Sequence, residues 1–254
     1  MFVTFLGTGT SQGIPVIACD CEVCRSVDFR NQRLRVSVHI EVDNQSIVID
    51  SGPDFRQQML RASVQHLDAL IFTHEHKDHT AGMDDIRAFN YKQNGSYIPV
   101  FASERVIKHL QKEFAYIFET IKYPGIPQIN TIPIENKPFF VGDVKVVPIE
   151  VMHHQLPVFG YRIGDFTYIT DANFIAEEEI DKIMGSKVLV INALQKEKHI
   201  SHYNLDEALE VIYKIQPEKA YLTHLGHRMG LHADIEKELP PNVYIAYDGL
   251  KIQI

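Results

Sequence analysis

Apolar and polar residues along this chain switch repeatedly between two periods. The opening "MFVTFLG" is a short apolar run that predicts a strand. "RVSVHIEV" (35–42) alternates with period two, and "NQ" then turns it into "SIVID" (46–50), which predicts a β-hairpin. "DFRQQMLRAS" (54–63) takes up helical spacing, and "ALIF" (69–72) predicts a buried strand. "SERVIKHLQKEFAYIFETI" (103–121) is the longest predicted helix, with Ser103 placed to cap it. Residues 122–138 carry four prolines and predict an irregular loop. Strands follow at "FFVGDVKVVPIEV", "FGYRIG", "FTYIT", "VLVINA", "AYLTH" and "VYIAYD". Helices interleave at "IAEEEIDKIM" and "LDEALEVIYKI", the second with Asn204 and Glu207 spaced as a capping box. Strands outnumber helices, and the helices fall between groups of strands. Two sheets packed face to face with helices outside fit that order. A doubly wound parallel sheet competes, but the hairpins oppose it.

The 254 residues suffice for one large core, and a single domain over 1–254 is expected. A net charge of −8 gives no basic footprint, so a nucleic-acid partner is not expected. The amino-terminal residues lack the basic and apolar regions of a signal peptide, and no apolar run reaches the ~18 residues of a membrane span. A reducing, cytoplasmic location is the expectation. Composition changes this picture at two points. Thirteen histidines are many for this length and hint at metal. The three cysteines, Cys19, Cys21 and Cys24, are odd in number and too close together for a simple disulfide framework.

Directly after the "ALIF" strand comes "THEHKDHT" (73–80), which contains the pattern H-x-H-x-D-H. On an extended backbone His74 and His76 point the same way and can reach one metal, while Asp78 and His79 turn to a second. Imidazole and carboxylate donors suit zinc, manganese or iron. A solvated polar loop is the plain alternative, but six consecutive residues of such types disfavour it. One loop cannot close two sites. Further donors stand at strand ends: His153 and His154 in "VMHHQL", Asp171 in "YITDAN", and His224 and His227 in "LTHLGH". "CDCEVC" is C-x-C-x-x-C, three thiolates that need a fourth ligand for a closed tetrahedral zinc, and His227 is the natural candidate. A redox cluster, or three unrelated thiols, is the competing reading. "GTGTSQG" lacks the spacing of a dinucleotide loop and predicts a tight turn under the cysteines.

H-x-H-x-D-H, a later His, a "TDA"-type Asp and a carboxy-terminal His together resemble the metallo-β-lactamase superfamily from end to end. The resemblance implies a four-layer αββα sandwich with a binuclear site between the sheet edges. It implies His74, His76 and one of His153 and His154 on one ion, Asp78, His79 and His224 on the other, and Asp171 bridging. Asp50, ending "SIVID", would orient a ligand, or else be an ordinary turn residue. Spacing to "FGY" favours His154. Spacing from Pro148 and to Leu156 favours His153, the expected ligand. The cysteine cluster near residues 17–26, "THxxH", "GTGTSQGIP", "YPG", "SHYNL" and "YDG" resemble the cyclic phosphodiesterase family of the bacterial carbon–phosphorus lyase pathway, which opens phosphoribosyl 1,2-cyclic phosphate.

The implied cofactors are two divalent ions, zinc or manganese with iron or nickel as further candidates, and one structural zinc. The implied chemistry is attack on phosphorus by a hydroxide held between the ions. Asp78 and Asp171 would hold the ions, and His202, or failing it His199, would protonate the leaving alkoxide. A surface or capping role for His202 is the competing reading. Loops 81–95, with Arg87 and Tyr91, and 122–138 are expected to set specificity for a small phosphodiester. An RNA-end nuclease, a lactone or thioester hydrolase, and a non-enzymatic metal-binding protein are the alternatives. No membrane partner is expected, and a homodimer stays open.

Overall fold

The computed structural model describes residues 1–120, 123 and 125–254. Ile121 of the predicted long helix, and Lys122 and Pro124 of the predicted middle loop and its "YPG", lie outside the described residues.

The amino-terminal half builds one mixed sheet from β1 (Phe2–Gly7), β2 (Ser37–Val42), β3 (Gln45–Ile49), β4 (Ala69–Ile71), β5 (Ile98–Ala102) and β6 (Ile129–Pro133). The second sheet holds β7 (Phe139–Val141), β8 (Val144–His153), β9 (Leu156–Ile163), β10 (Phe166–Tyr168), β11 (Phe174–Ile175), β12 (Val188–Asn192), β13 (Lys219–Thr223) and β14 (Val243–Ile245). A last strand, β15 (Lys251–Gln253), returns to the first sheet beside β1. The orders are β15-β1-β2-β3-β4-β5-β6 and β11-β8-β9-β10-β12-β13-β14, with β7 also on β8. Each sheet starts antiparallel and continues parallel, at β3-β4-β5-β6 and at β10-β12-β13-β14. The carboxyl ends of β3, β4, β10 and β13, with that of the antiparallel β8, carry the histidine and aspartate donors.

Three hydrophobic cores define four layers. Val3, Phe5, Val38, Ile40, Ile47 and Ile49 meet Tyr161, Tyr168, Val188 and Val190 between the sheets. Their alternate neighbours face outward. Leu6, Val48 and Leu70 pack under α1 (Phe55–Arg61), α3 (Arg87–Lys92), α4 (Glu104–Glu113) and α5 (Ala115–Phe118), while the short α2 (Lys77–Thr80) follows β4. Leu189 and Ile191 pack under α6 (Glu177–Ile183), α7 (Leu205–Ile215) and α8 (His232–Glu238). Strands buried on both faces need apolar residues at every position, which is why "VLVINA" reads as one continuous run. The fold is the αββα sandwich. Among the described residues no helix is long and apolar enough to cross a membrane.

The local differences have identifiable causes. The first hairpin turns at Asp43 and Asn44, not at "NQ"; both have positive φ (47° and 61°), the geometry of a type I′ turn. The predicted long helix breaks at Phe114 (φ −117°, ψ 43°), where an aromatic run of weak helix formers begins. β5 and β6 are not in the predicted set because Pro99 and Pro133 hide their strand signal, and β6 lies inside the segment expected as loop. The capping box at Asn204 and Glu207 forms as predicted.

Candidate metal centre

The donor residues sit where strands end. β3 runs into Asp50, β4 into Thr73–His76, β8 into His153, β10 into Asp171 and β13 into His224. Asp50, Asp171 and His224 have φ of 64°, 57° and 55°. Left-handed backbone at a non-glycine residue is strained, by roughly 1–3 kcal/mol each, and persists where its surroundings fix it. Here it turns each side chain back over the strand ends toward one point.

The H-x-H-x-D-H loop divides as its spacing predicts. His74 and His76 share a face of extended chain, with His74 Nε2 3.0 Å from His76 Nδ1. The turn of α2 then swings Asp78 and His79 to the other side. Gly52 lets this turn approach closely, since a Cβ there would stand 2.0 Å from the Asp78 carbonyl oxygen. The second sheet grips the same loop: Tyr161 Oη donates to Phe72 O (2.6 Å) and Phe159 N to Thr73 O (3.1 Å).

Two donor sets result. His74, His76 and His153 form one, and Asp78, His79, Asp171 and His224 the other; within each, the donor atoms lie within 4.8 Å of one another. His153 also groups with Asp171 and His202. Asp171 joins the sets, with Oδ2 3.3 Å from His79 Nε2 and Oδ1 3.1 Å from both His224 Nε2 and His202 Nε2. His154 stays outside. It occupies the two-residue turn between β8 and β9, because His153 pairs with Leu156 as the last rung of that hairpin. It is the hairpin register, rather than strand alternation, that separates the two histidines.

Hydrogen bonds fix which ring nitrogen His153 and His79 present. His153 Nδ1 donates to Ser201 O (2.8 Å), leaving Nε2 as a lone pair. His79 Nδ1 donates to Asp50 Oδ2 (2.7 Å), and Asp50 accepts further bonds from Thr73 N and Oγ1. Asp50 is fully buried and orients a candidate ligand rather than ending a turn. Thr73 Oγ1 also lies 3.0 Å from His74 Nδ1. Thr73 is absent from the sequence-derived set, and only its place beside His74 could have drawn notice. Arg87 pairs with Asp84 and Tyr91 stands exposed; no hydrogen bond or ion pair joins either to the cluster among the described residues.

The charges are matched in an unusual way. Burial pushes the Asp171 carboxyl up, but His224 and His79 hold it well below the usual range. Burial likewise opposes protonation of His224, yet Asp171 and Asp78 carry it to about 9. His79 is raised well above its ordinary value against burial by Asp171, Asp78 and Asp50. Burial instead pushes His74 well down and takes His202 to about 4. His79 Nε2 and both ring nitrogens of His224 are buried without a hydrogen-bond partner; Asp171 is near but out of line. Buried polar atoms are rarely left so, and convergent imidazole and carboxylate donors are what a divalent cation requires. The residues present fit metal.

The cysteine loop gathers at a second place. Sγ of Cys19, Cys21 and Cys24 lie 3.2, 3.4 and 3.5 Å from His227 Nδ1. A tetrahedral zinc with Zn–S of about 2.3 Å and Zn–N of about 2.0 Å separates S from N by about 3.5 Å, so this set also fits. A backbone hydrogen bond brings the Cys21 thiol down to about 6, while burial pushes Cys24 up to about 11.

The model of the family described as "Beta-lactamase superfamily domain" matches residues 45–225. An octanoyltransferase from Porphyromonas gingivalis is 39% identical over 249 residues, covering 97% of this chain and 50% of that protein. The chain spans about half the length of the curated relatives it matches. The crystal structure of a diphosphatase from the PhnP family superposes with a TM-score of 0.93 at 33% identity, covering 100% of this chain and 97% of that one. Zinc-bound PqqB from Methylobacterium extorquens superposes with a TM-score of 0.80 at 17% identity, covering 100% of both chains, a likeness of fold alone.

Two outcomes are expected. Purified protein should carry about three metals per chain by elemental analysis, and mild chelation should remove about two and leave the thiolate-held one. A protein that keeps no zinc after mild chelation would rule out the cysteine site. His153→Ala should weaken metal binding by about 10²-fold or more, and His154→Ala by far less. Titration of both variants with zinc checks this, and the reverse order would put the wrong histidine in the cluster.

Proposed function

The chain belongs to the beta-lactamase superfamily, a hydrolase fold, and from that premise we propose that it hydrolyses small phosphodiesters or diphosphates with two divalent ions. The observation that carries this reading is Asp171, one buried carboxylate facing both donor sets. His74, His76 and His153 would hold one ion, Asp78, His79 and His224 the other, and Asp171 would fix the spacing between them. Zinc or manganese bound there would supply Lewis acidity, making water acidic and neutralising phosphoryl oxygens. Cys19, Cys21, Cys24 and His227 would hold a structural zinc.

The protein's own residues provide the rest. Asp50 and Ser201 O hold His79 and His153 in the tautomers that aim Nε2 inward. A cavity of about 380 Å³ opens over His76, His153, His154, Gln155 and Leu156 and gives a small substrate access from solvent. His202 lies beneath the rim, its ring 4.6 Å from that of His153 and stacked at 4.8 Å on that of His224. With its pKa near 4 it is neutral at pH 7. A bound phosphoryl group brings negative charge and raises its proton affinity, the direction needed for an acid that protonates the leaving oxygen. Support for phosphorus as the reacting centre comes from the 33% identical diphosphatase.

A second reading, hydrolysis of acyl thioesters, rests on the octanoyltransferase match. That match covers only half of the larger protein. All three cysteines of this chain lie in the cluster with His227, so no thiol stands at the histidine centre for acyl transfer, and this reading would be limited to hydrolysis by water.

A screen of the zinc- and manganese-loaded protein against linear and cyclic phosphodiesters, diphosphates and an octanoyl thioester should give turnover on the phosphorus substrates. Turnover on the thioester alone would replace the first reading with the second. His202→Ala should keep its metals yet slow hydrolysis of an alkyl diester by about 10²–10⁴-fold. The defect should shrink with p-nitrophenolate as leaving group, which departs without a proton. Equal defects on both substrates would refute the acid role.

A further inference from the structure

In the H-x-H-x-D-H loop the residues between the donors face the other way. On the extended stretch through His74 and His76, the Glu75 side chain turns away from the donor set and meets α4. There Arg105 Nε stands 3.0 Å from Glu75 Oε1 and 3.2 Å from Oε2. The same guanidinium donates from Nη2 to Pro157 O at 2.6 Å. Pro157 follows Leu156, which pairs with His153 as the last rung of the β8–β9 hairpin. One side chain of the outer helical layer thus touches the loop between His74 and His76 and the strand that leads away from His153.

Three observations set this contact apart. Arg105 stands in the first turn of α4, two residues after Ser103, whose side chain accepts from Val106 N. A cation at that end opposes the helix dipole, so its place is explained by its partners and not by the helix. His76, meanwhile, is the exposed member of its donor set. Ser201 O orients His153 and Asp50 orients His79, but among the described residues the His76 ring has only His74 Nε2 within hydrogen-bond distance. Its position has to come from the backbone that carries it. Lastly, the loop has a second tie to α4, from Lys77 to Glu113, which serves as a control. That pair is open to water, with the Lys77 side chain 61% exposed against 17% for Glu75, and it reaches nothing in the second sheet among the described residues.

We propose that Arg105 is a positioning residue for the first metal: holding Glu75 and Pro157 O on one guanidinium, it fixes His76 relative to His153, whose ring centroids stand 5.1 Å apart. The inference rests on the reading of His74, His76 and His153 as ligands. His74 and His76 follow a strand of the first sheet, and His153 ends a strand of the second. A cation between them binds tightly only where the two strand ends are already held at the right separation. A guanidinium suits that task, because its planar fork satisfies a carboxylate and a carbonyl together, whereas an ammonium is a single point of charge. Arg105 acts through Glu75 and Pro157 and is not itself a ligand.

The test is a zinc titration, against a competing chelator, of protein freed of its exchangeable metal. His153→Ala marks the binding step that belongs to the first donor set. Arg105→Met should weaken that step by about tenfold and leave any other step within about twofold. Glu75→Gln should weaken it comparably, and the two changes together should cost less than the product of the single losses. Arg105→Lys should recover part of the affinity, and Glu113→Gln should stay within about twofold of wild type. Thermal unfolding of the metal-free protein separates positioning from plain stability: the Tm of Arg105→Met should stay within about 3 °C of wild type. A lowered Tm with unchanged zinc affinity overturns the proposal. An equal loss in Glu113→Gln overturns it too, because any ion pair to α4 would then suffice, and full recovery with Arg105→Lys would make charge alone the cause. If His153→Ala alters no zinc step, the ligand reading is wrong and the proposal falls with it. If His153→Ala removes a step that Arg105→Met leaves intact, the positioning role falls alone.

Discussion

The centre depends on the buried carboxylate of Asp50. It is fully buried, and it accepts hydrogen bonds from Thr73 N, Thr73 Oγ1 and His79 Nδ1. Burial pushes the Asp50 carboxyl up, and His79 and the Thr73 hydrogen bonds oppose that shift. Through these bonds the end of β3 dictates the path of the chain after β4 and the tautomer of His79. Thr73 passes the constraint to His74, whose Nδ1 lies against the same hydroxyl. One side chain on one strand thereby orients donors in both sets.

That local constraint works because the fold brings the right ends together. Both sheets become parallel on the side where β4, β10 and β13 end, and the apolar core between the sheets holds those ends at one edge. Tyr161 and Phe159 of the second sheet bond the backbone at Phe72 and Thr73, so the histidine loop cannot move independently of the opposite layer. Strain then follows as a consequence. Asp50, Asp171 and His224 take left-handed backbone because a side chain must fold back over its own strand end to meet the others.

How much of this was legible in the sequence depends on how local each signal is. H-x-H-x-D-H and C-x-C-x-x-C are legible because the ligand geometry is written within six residues. Asp171 and His224 are legible as donors at the ends of apolar runs. The two-sheet architecture follows from alternation and from the resemblance, though prolines in β5 and β6 conceal two strands of the first sheet. The choice between His153 and His154 depends on a hairpin register, because a one-residue slip exchanges their positions. Thr73 acts through Asp50, which is 23 residues away in the chain, and no pattern within the H-x-H-x-D-H loop announces that.

The cysteine cluster gains a physical role from its neighbours. His224 and His227 lie three residues apart, so the histidine centre and the thiolates share one short turn. Its backbone is tied on both sides: Leu225 N donates to Thr8 O, Thr10 N to Leu225 O, and Gly226 N to Leu194 O. The same strap closes on Cys24, whose Sγ accepts from Val16 N at 3.3 Å. A zinc held by four protein ligands has no open position and therefore no reaction to perform. Held by Cys19, Cys21, Cys24 and His227, it would tie the loop of the three cysteines to the turn that presents His224. Leu225 and Met229 already bury the same turn in the core beneath the helices of the second sheet, so such a clasp would add to that packing rather than replace it.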